Sequence, residues 1–343
     1  MGLFDTEIQS FKLDELHDPL LKLSELIDFE LFRPLLERPF QKDRKSNAGR
    51  KPFDRVMLFK GLILQRLYNL SDDQLEFQTT DRLSFRRFLK LSGSEFSPDA
   101  KTFWAFRETL TQHQILKEAF YLFEKFLCEK GYTPKGGTLI DATFIEVPKQ
   151  RNTREQNKEI KEGRIPEDFK KNKHKLVQKD LDSRWVKKNG IDYYGYKDHP
   201  SADVDYKIIR DFEVTSAEVH DSNEFSGLLT QKNDTLTAFA DSAYYGKKIS
   251  KALSDAGIKE MIVRKGCRYK ALTEEDKIFN KAVSRIRARI EHVFATITQF
   301  GGTWIRSIGI VRARGQIALI NLVYNMKRFM FLEGQRQRQE KVA

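Results

Sequence analysis

TLIDATFIEV, residues 138–147, marks the point where the chain changes texture. β-Branched and aromatic residues crowd it, as in a strand covered on both faces. One carboxylate, Asp141, stands in the middle of the run. A buried carboxylate left unpaired costs several kcal/mol or takes up a proton, so its presence implies a cationic partner, a set of backbone donors or a metal. Three further strand-like stretches follow: DYKIIRDFEVT (205–215), LTAFADSAYY (236–245) and EMIVRK (260–265). Helical periodicity occupies 247–256, 280–300 and 311–332. These segments predict a mixed α/β body.

Upstream of about residue 130 the pattern is helical. Leu20, Leu21, Leu23, Leu26, Ile27, Leu31 and Phe32 recur every three or four positions, and the basic stretch Gln41 to Phe53 breaks that period. Asp54 predicts an N-cap for a helix through Tyr68, Ser71 with Gln74 a capping box, and Ser97 with Pro98 another helix start. If that last helix enters a DNA major groove, Lys101, Thr102 and Arg107 reach bases or phosphates while Phe103, Trp104 and Phe106 pack. The expected organisation is a helical domain over 1–130, an α/β domain over 131–332 with a basic insertion at 149–190, and a frayed basic tail at 333–343. Residues 20–32 offer either a contact surface for a second copy or a core helix.

Charge narrows the partners. Sixty-one Lys and Arg against forty-nine Asp and Glu leave +12, and the pI is about 9.4. The insertion holds fourteen basic residues against seven acids, including Arg151, Arg154, Lys187 and Lys188, which fits either a solvated surface or an arm following a phosphate backbone. Trp185 to Lys197, with Tyr193, Tyr194 and Tyr196 at strand spacing, reads as sheet residues or as a stacking surface for unpaired bases. Two cysteines, a polar start and no apolar stretch of membrane-spanning length predict a cytoplasmic, nucleoid-associated protein. The six histidines show no zinc spacing, and no P-loop, dinucleotide fingerprint or nucleophile elbow is present.

Asp241 shares the predicament of Asp141, and Glu291 is a third candidate that an ordinary i,i+4 ion pair with Arg287 on a solvated helix flank would equally explain. Asp241 ends the apolar run LTAFA, and Glu291 lies beside the stripe formed by Val283, Ile286, Ile290, Val293, Phe294 and Ile297 in the helix Lys281 to Phe300. Arg287, one turn before Glu291, is placed to hold its carboxylate. If the two strands are neighbours and the helix aims Glu291 at their ends, three carboxylates converge, and hard divalent cations such as Mg²⁺ relieve their repulsion. Two such ions suit an in-line phosphoryl displacement.

At this level of detail the sequence resembles the DDE transposases of the insertion sequence 5 type. The likeness runs through GTLIDATFIEVPKQRNTRE, the segment 180–222, FADSAYYGK and SRIRARIEHVFATITQF with the residues after it, and through GRKPFDRVMLFKGLILQRLYNLSDDQLE in the head. It implies that 131–332 is an RNase H-like catalytic domain, a mixed sheet flanked by helices, in which Asp141, Asp241 and Glu291 bind two Mg²⁺ or Mn²⁺ ions, and that 1–130 is the DNA-binding and oligomerising domain. It further implies binding of double-stranded DNA, both the element's terminal repeats and the target, cleavage that exposes a 3′-hydroxyl, strand transfer, and a homodimer or higher synaptic oligomer. The family signature around the glutamate carries a Tyr and a Lys where this chain has Ser284 and Thr298; Arg285, Arg289 and Arg306 are nearby basic substitutes. The competing readings are a catalytically inactive or domesticated DNA-binding descendant and an RNA-directed nuclease of the same fold.

Overall fold

The computed structural model describes residues 5–41, 51–92, 95–229, 233–266 and 271–341. These form two compact units, Met1–Lys125 with Ala318–Ala343, and Phe126–Ile317.

The first unit is helical: α1 (Asp5–Glu15), α2 (Pro19–Leu26), α3 (Arg33–Glu37), α4 (Arg55–Leu67), α5 (Asp72–Asp81), α6 (Leu83–Leu89), α7 (Ala100–Gln112) and α8 (Ile115–Glu129), whose last residues belong to the second unit. Local chemistry sets the starts. Asp54 accepts the Met57 N–H at 2.9 Å to cap α4, and Ser71 with Gln74 closes a reciprocal capping box on α5. The next helix begins later than Ser97–Pro98 predicts: Asp99 caps α7 by accepting the Thr102 N–H at 2.7 Å, while the Ser97 hydroxyl pairs with Thr79. The core is aromatic, with Phe32 against Phe59 at 4.9 Å and Phe29 edge-on to Phe88 at 5.5 Å between centroids. Leu20, Leu23, Ile27 and Phe32 are buried in it. Lys60 is buried as well; it donates to the Phe88 carbonyl at 2.8 Å, and burial pushes its ammonium down to about 8.

The second unit is built on a seven-stranded mixed sheet: β1 (Thr138–Ile140), β2 (Thr143–Glu146), β3 (Arg184–Lys188), β4 (Ile191–Asp203), β5 (Ile209–Ser216), β6 (Thr237–Ala240) and β7 (Lys259–Ile262). Its main path runs β5-β4-β1-β6-β7, with β4 antiparallel to β5 and β1, then β1, β6 and β7 parallel. Strands β2 and β3 add to it by pairing with β4. The expected strand 138–147 is thus two strands, interrupted at Asp141 and Ala142. One face is covered by α12 (Lys247–Asp255), whose Ile249 and Leu253 join Ile140, Ala238 and Ala240. The expected helix 280–300 is two, α13 (Glu274–Arg287) and α14 (Arg289–Gln299), broken at Ala288, and α14 packs on β1.

The insertion carries structure of its own. It holds α9 (Arg154–Lys161), α10 (Glu167–Lys171), α11 (Lys173–Val177) and β3. Asp180 pins it: buried, it accepts the Tyr196 hydroxyl at 2.7 Å and the Ser183 and Gly309 N–H groups. Asp182 accepts the Ile310 N–H at 2.9 Å at the start of α15 (Ile310–Glu340). The sequence reading leaves 311–332 with the sheet and frays the tail. The helix instead continues to Glu340, and its residues from Ala318 onward group with the head, because Leu319, Leu322, Val323, Met326 and Phe329 are all buried and nothing in 316–333 breaks the helix. Among the described residues no helix is long and apolar enough to cross a membrane.

Candidate active site

Asp141 follows the last residue of β1, and Asp241 the last residue of β6. The β1–β6 register pairs Thr138 with Ala238 and Leu139 with Phe239. Carried two residues on, the same offset sets the two carboxylates level at the ends of parallel neighbours, which run about 4.8 Å apart in a sheet. Side chains alternate along a strand. Because Ile140 and Ala240 face α12, Asp141 and Asp241 turn toward the α13–α14 side. Burial pushes the Asp141 carboxyl up to about 6; the Ala142 N–H and Arg287 oppose that rise, and the charges of Asp241 and Glu291 add to it. Asp241 accepts the Ala243 N–H at 2.8 Å, capping the short turn Ser242–Tyr244.

Glu291 enters from the first turn of α14. Arg287, at the end of α13, donates to Asp141 Oδ2 at 2.9 Å and lies 3.5 Å from Glu291 Oε1. One guanidinium therefore ties the strand acid to the helix acid. Arg287 is 23% exposed and Asp141 14%, whereas Glu291 is 59% exposed, so the strand acid is held and the helix acid has room to turn. Among the described residues no group of three or more His, Cys, Asp and Glu side chains is arranged to hold a metal ion. The immediate causes are local: Glu291 is drawn to Arg287, and Asp241 folds back onto its own turn.

Tyr244 was not singled out by sequence. It is buried, its hydroxyl has no hydrogen-bond partner among the described residues, and burial, with the charges of Asp141, Asp221 and Asp241, raises it above the ordinary phenol range. Asp221 in turn takes the Lys197 ammonium at 2.7 Å, on the strand that carries the sheet. The sequence signal for Tyr244 was an aromatic three residues past a strand-end acid.

The basic residues divide by placement. Arg107 is committed to the head, its guanidinium bidentate on Asp72 at 2.6 and 2.8 Å and bonded to Gln65. Lys101 is exposed six residues before it, and Thr102 gives its N–H to the cap. Arg151, Arg154, Lys187 and Arg285 are exposed. Lys188 lies 5.6 Å over the Phe144 ring, Arg289 donates to the Val204 carbonyl at 3.1 Å, and Arg306 covers Trp304. Ser284 and Thr298 are exposed, and the Thr298 hydroxyl donates to its own helix at Phe294. Tyr194 and Tyr196 are buried sheet residues, and Tyr193 stacks on Phe144 at 4.2 Å.

The family model described as the transposase DDE domain matches residues 132–326, the segment that contains all three acids. The chain belongs to the transposase DDE domain family. A second model, described as a transposase domain (DUF772), matches residues 9–109 of the head. The chain is therefore a transposase, in a family whose members are in general metal-dependent DNA-cleaving enzymes, and the insertion sequence 5 resemblance holds at this family level. A solved structure similar to it is a piggyBac transposase synaptic complex with hairpin DNA, at 13% identity and a TM-score of 0.44, covering 90% of this chain and 75% of that one.

Proposed function

We propose that this transposase binds the terminal inverted repeats of its insertion sequence, hydrolyses DNA at the element ends and joins the freed 3′-hydroxyls to target DNA, acting as a homodimer or larger synaptic assembly. Asp141, Asp241 and Glu291 carry the reaction. Their donor set fits a divalent metal: all ligands are carboxylate oxygens, two of them leave adjacent strands at one level, and the third sits on an exposed side chain free to rotate in. Mg²⁺ or Mn²⁺, two per site, would activate the attacking oxygen and stabilise the leaving one. Arg287 positions the carboxylates and balances their charge until the substrate arrives. Exposed Lys101 in the helical unit, and Arg151, Arg154, Lys187, Lys188, Arg285 and Arg289 in the sheet unit, supply phosphate contacts. Thr102 and Arg107 act indirectly by holding α7 in shape.

The observation that carries this reading is the Arg287 tie between Asp141 and Glu291 beside the level placement of Asp241. A nicking assay on duplex DNA bearing the terminal repeat, with Mg²⁺, tests it. Asp241→Asn and Glu291→Gln should keep DNA affinity and lose turnover by at least about a thousandfold, since metal charge rather than phosphate contact is removed. Variants that nick like the parent would sink the assignment, and so would variants that fail to fold, because the acids would then be structural.

A further inference from the structure

At the C-terminal ends of β6 and β7 lies a cleft of about 860 Å³, whose lining includes Tyr245, Glu260, Arg264, Lys265, Asp276 and Phe279. β6 and β7 are parallel, Ala240 opposite Ile262, and the Val263 N–H donates to the Ala240 carbonyl. Three parallel strands in a row therefore end at one edge, carrying Asp141, then Asp241, then the pair Arg264 and Lys265. Crevices outside the carboxyl ends of parallel strands are where α/β sheets bind ligands. The pair is basic where its neighbours are acidic.

Arg264 is built in rather than loose. Its Nη1 donates to Asp276 at 2.7 Å, its guanidinium lies 4.2 Å over Phe279, and its backbone exchanges hydrogen bonds with the Asn280 side chain. A guanidinium has five N–H donors, so holding one edge leaves the other to face the cleft. Lys265 is exposed beside it, and Tyr245, four residues past Asp241, is 47% exposed. We propose that this cleft takes one unpaired nucleotide of the DNA strand next to the scissile bond, Arg264 and Lys265 holding its phosphate and Tyr245 stacking on its base. The proposal rests on the reading of Asp141, Asp241 and Glu291 as the catalytic edge. An unpaired nucleotide is favoured over duplex because the cleft has the size of a small-ligand site, and a lone exposed ring stacks only on a base whose face is free.

The test uses the full chain in EDTA with two fluorescent DNA probes, a blunt duplex and the same duplex forked by terminal mismatches with 2-aminopurine in the fork. The wild-type protein should bind the fork about tenfold more tightly and quench the 2-aminopurine. Tyr245→Ala should lose that quenching and the preference, and Tyr245→Phe should restore both. Arg264→Gln with Lys265→Gln should bring fork affinity down to the blunt value and flatten its salt slope by about two. Lys265→Gln alone, at an exposed position, should flatten it by about one even if the Arg264 variant folds poorly. Equal affinity for both probes, or a preference that survives these variants, overturns the proposal. Asp241→Asn run alongside separates the two readings: it should keep the fork preference while losing nicking, so either property can fail without the other.

Discussion

Burial holds the Asp141 carboxyl near 6, about two pH units above an ordinary aspartate, and that has a direct thermodynamic consequence. The folded chain keeps this proton more tightly than the unfolded one, so between about pH 4 and 6 the native state binds more protons. Stability contributed at this site is therefore present below pH 4, is lost as pH rises through 6 and stays flat above. At 1.36 kcal/mol per unit the site is worth about 1–3 kcal/mol. Asp141→Asn should remove this slope, and urea unfolding at pH 4.5 and 7 should show the variant gaining on the parent at the higher pH. A parent and variant with parallel pH profiles would mean the carboxyl is unstrained. The acid itself was legible in the sequence, because a charge in TLIDATFIEV has few uses. Its tie to Arg287 was not, because the partners are 146 positions apart and local spacing pointed Arg287 only at Glu291.

Elements were legible where their signals are local, as in the Asp54 cap, the Ser71 box and helix α12. They were less so where charge masks a strand. β3 and β4 form a hairpin through Asn189–Gly190, both at positive φ, the turn such a dipeptide favours, yet the lysines around it read as a polar arm. Helix crossings are invisible to sequence altogether. In the head a Cβ at Gly61 of α4 would collide with the buried Phe103 ring of α7. Gly61→Ala, normally a helix-stabilising change, should here cost about 1–3 kcal/mol through overpacking. Thermal melting checks this; an unchanged or raised melting temperature would show that α4 and α7 can move apart freely. Second-site Phe103→Leu should recover part of the loss.

For the whole molecule, the α/β class and the helical head follow from the sequence, whereas the strand order that sets β1 beside β6 and the unit boundaries do not. Periodicity shows that 311–332 is a helix but not which core it serves. Ending the chain after Ile317 should leave the contiguous sheet unit with its native circular dichroism while the head loses cooperative melting, since Phe329 packs edge-on against Phe123 at 6.3 Å and its neighbours in the helix are buried. Proteolysis that leaves both halves equally protected would contradict this.

Because the first unit joins two segments that lie on either side of the sheet unit in sequence, its assembly is tied to the order of synthesis. On the ribosome, residues 126–317 emerge as an uninterrupted set and can close their sheet first. Phe123 and its neighbours must wait, uncovered, for the helix that carries Phe329 to leave the exit tunnel. The helical unit is thus completed after the sheet unit that its two segments flank in sequence, and during that interval chaperones act chiefly on the head.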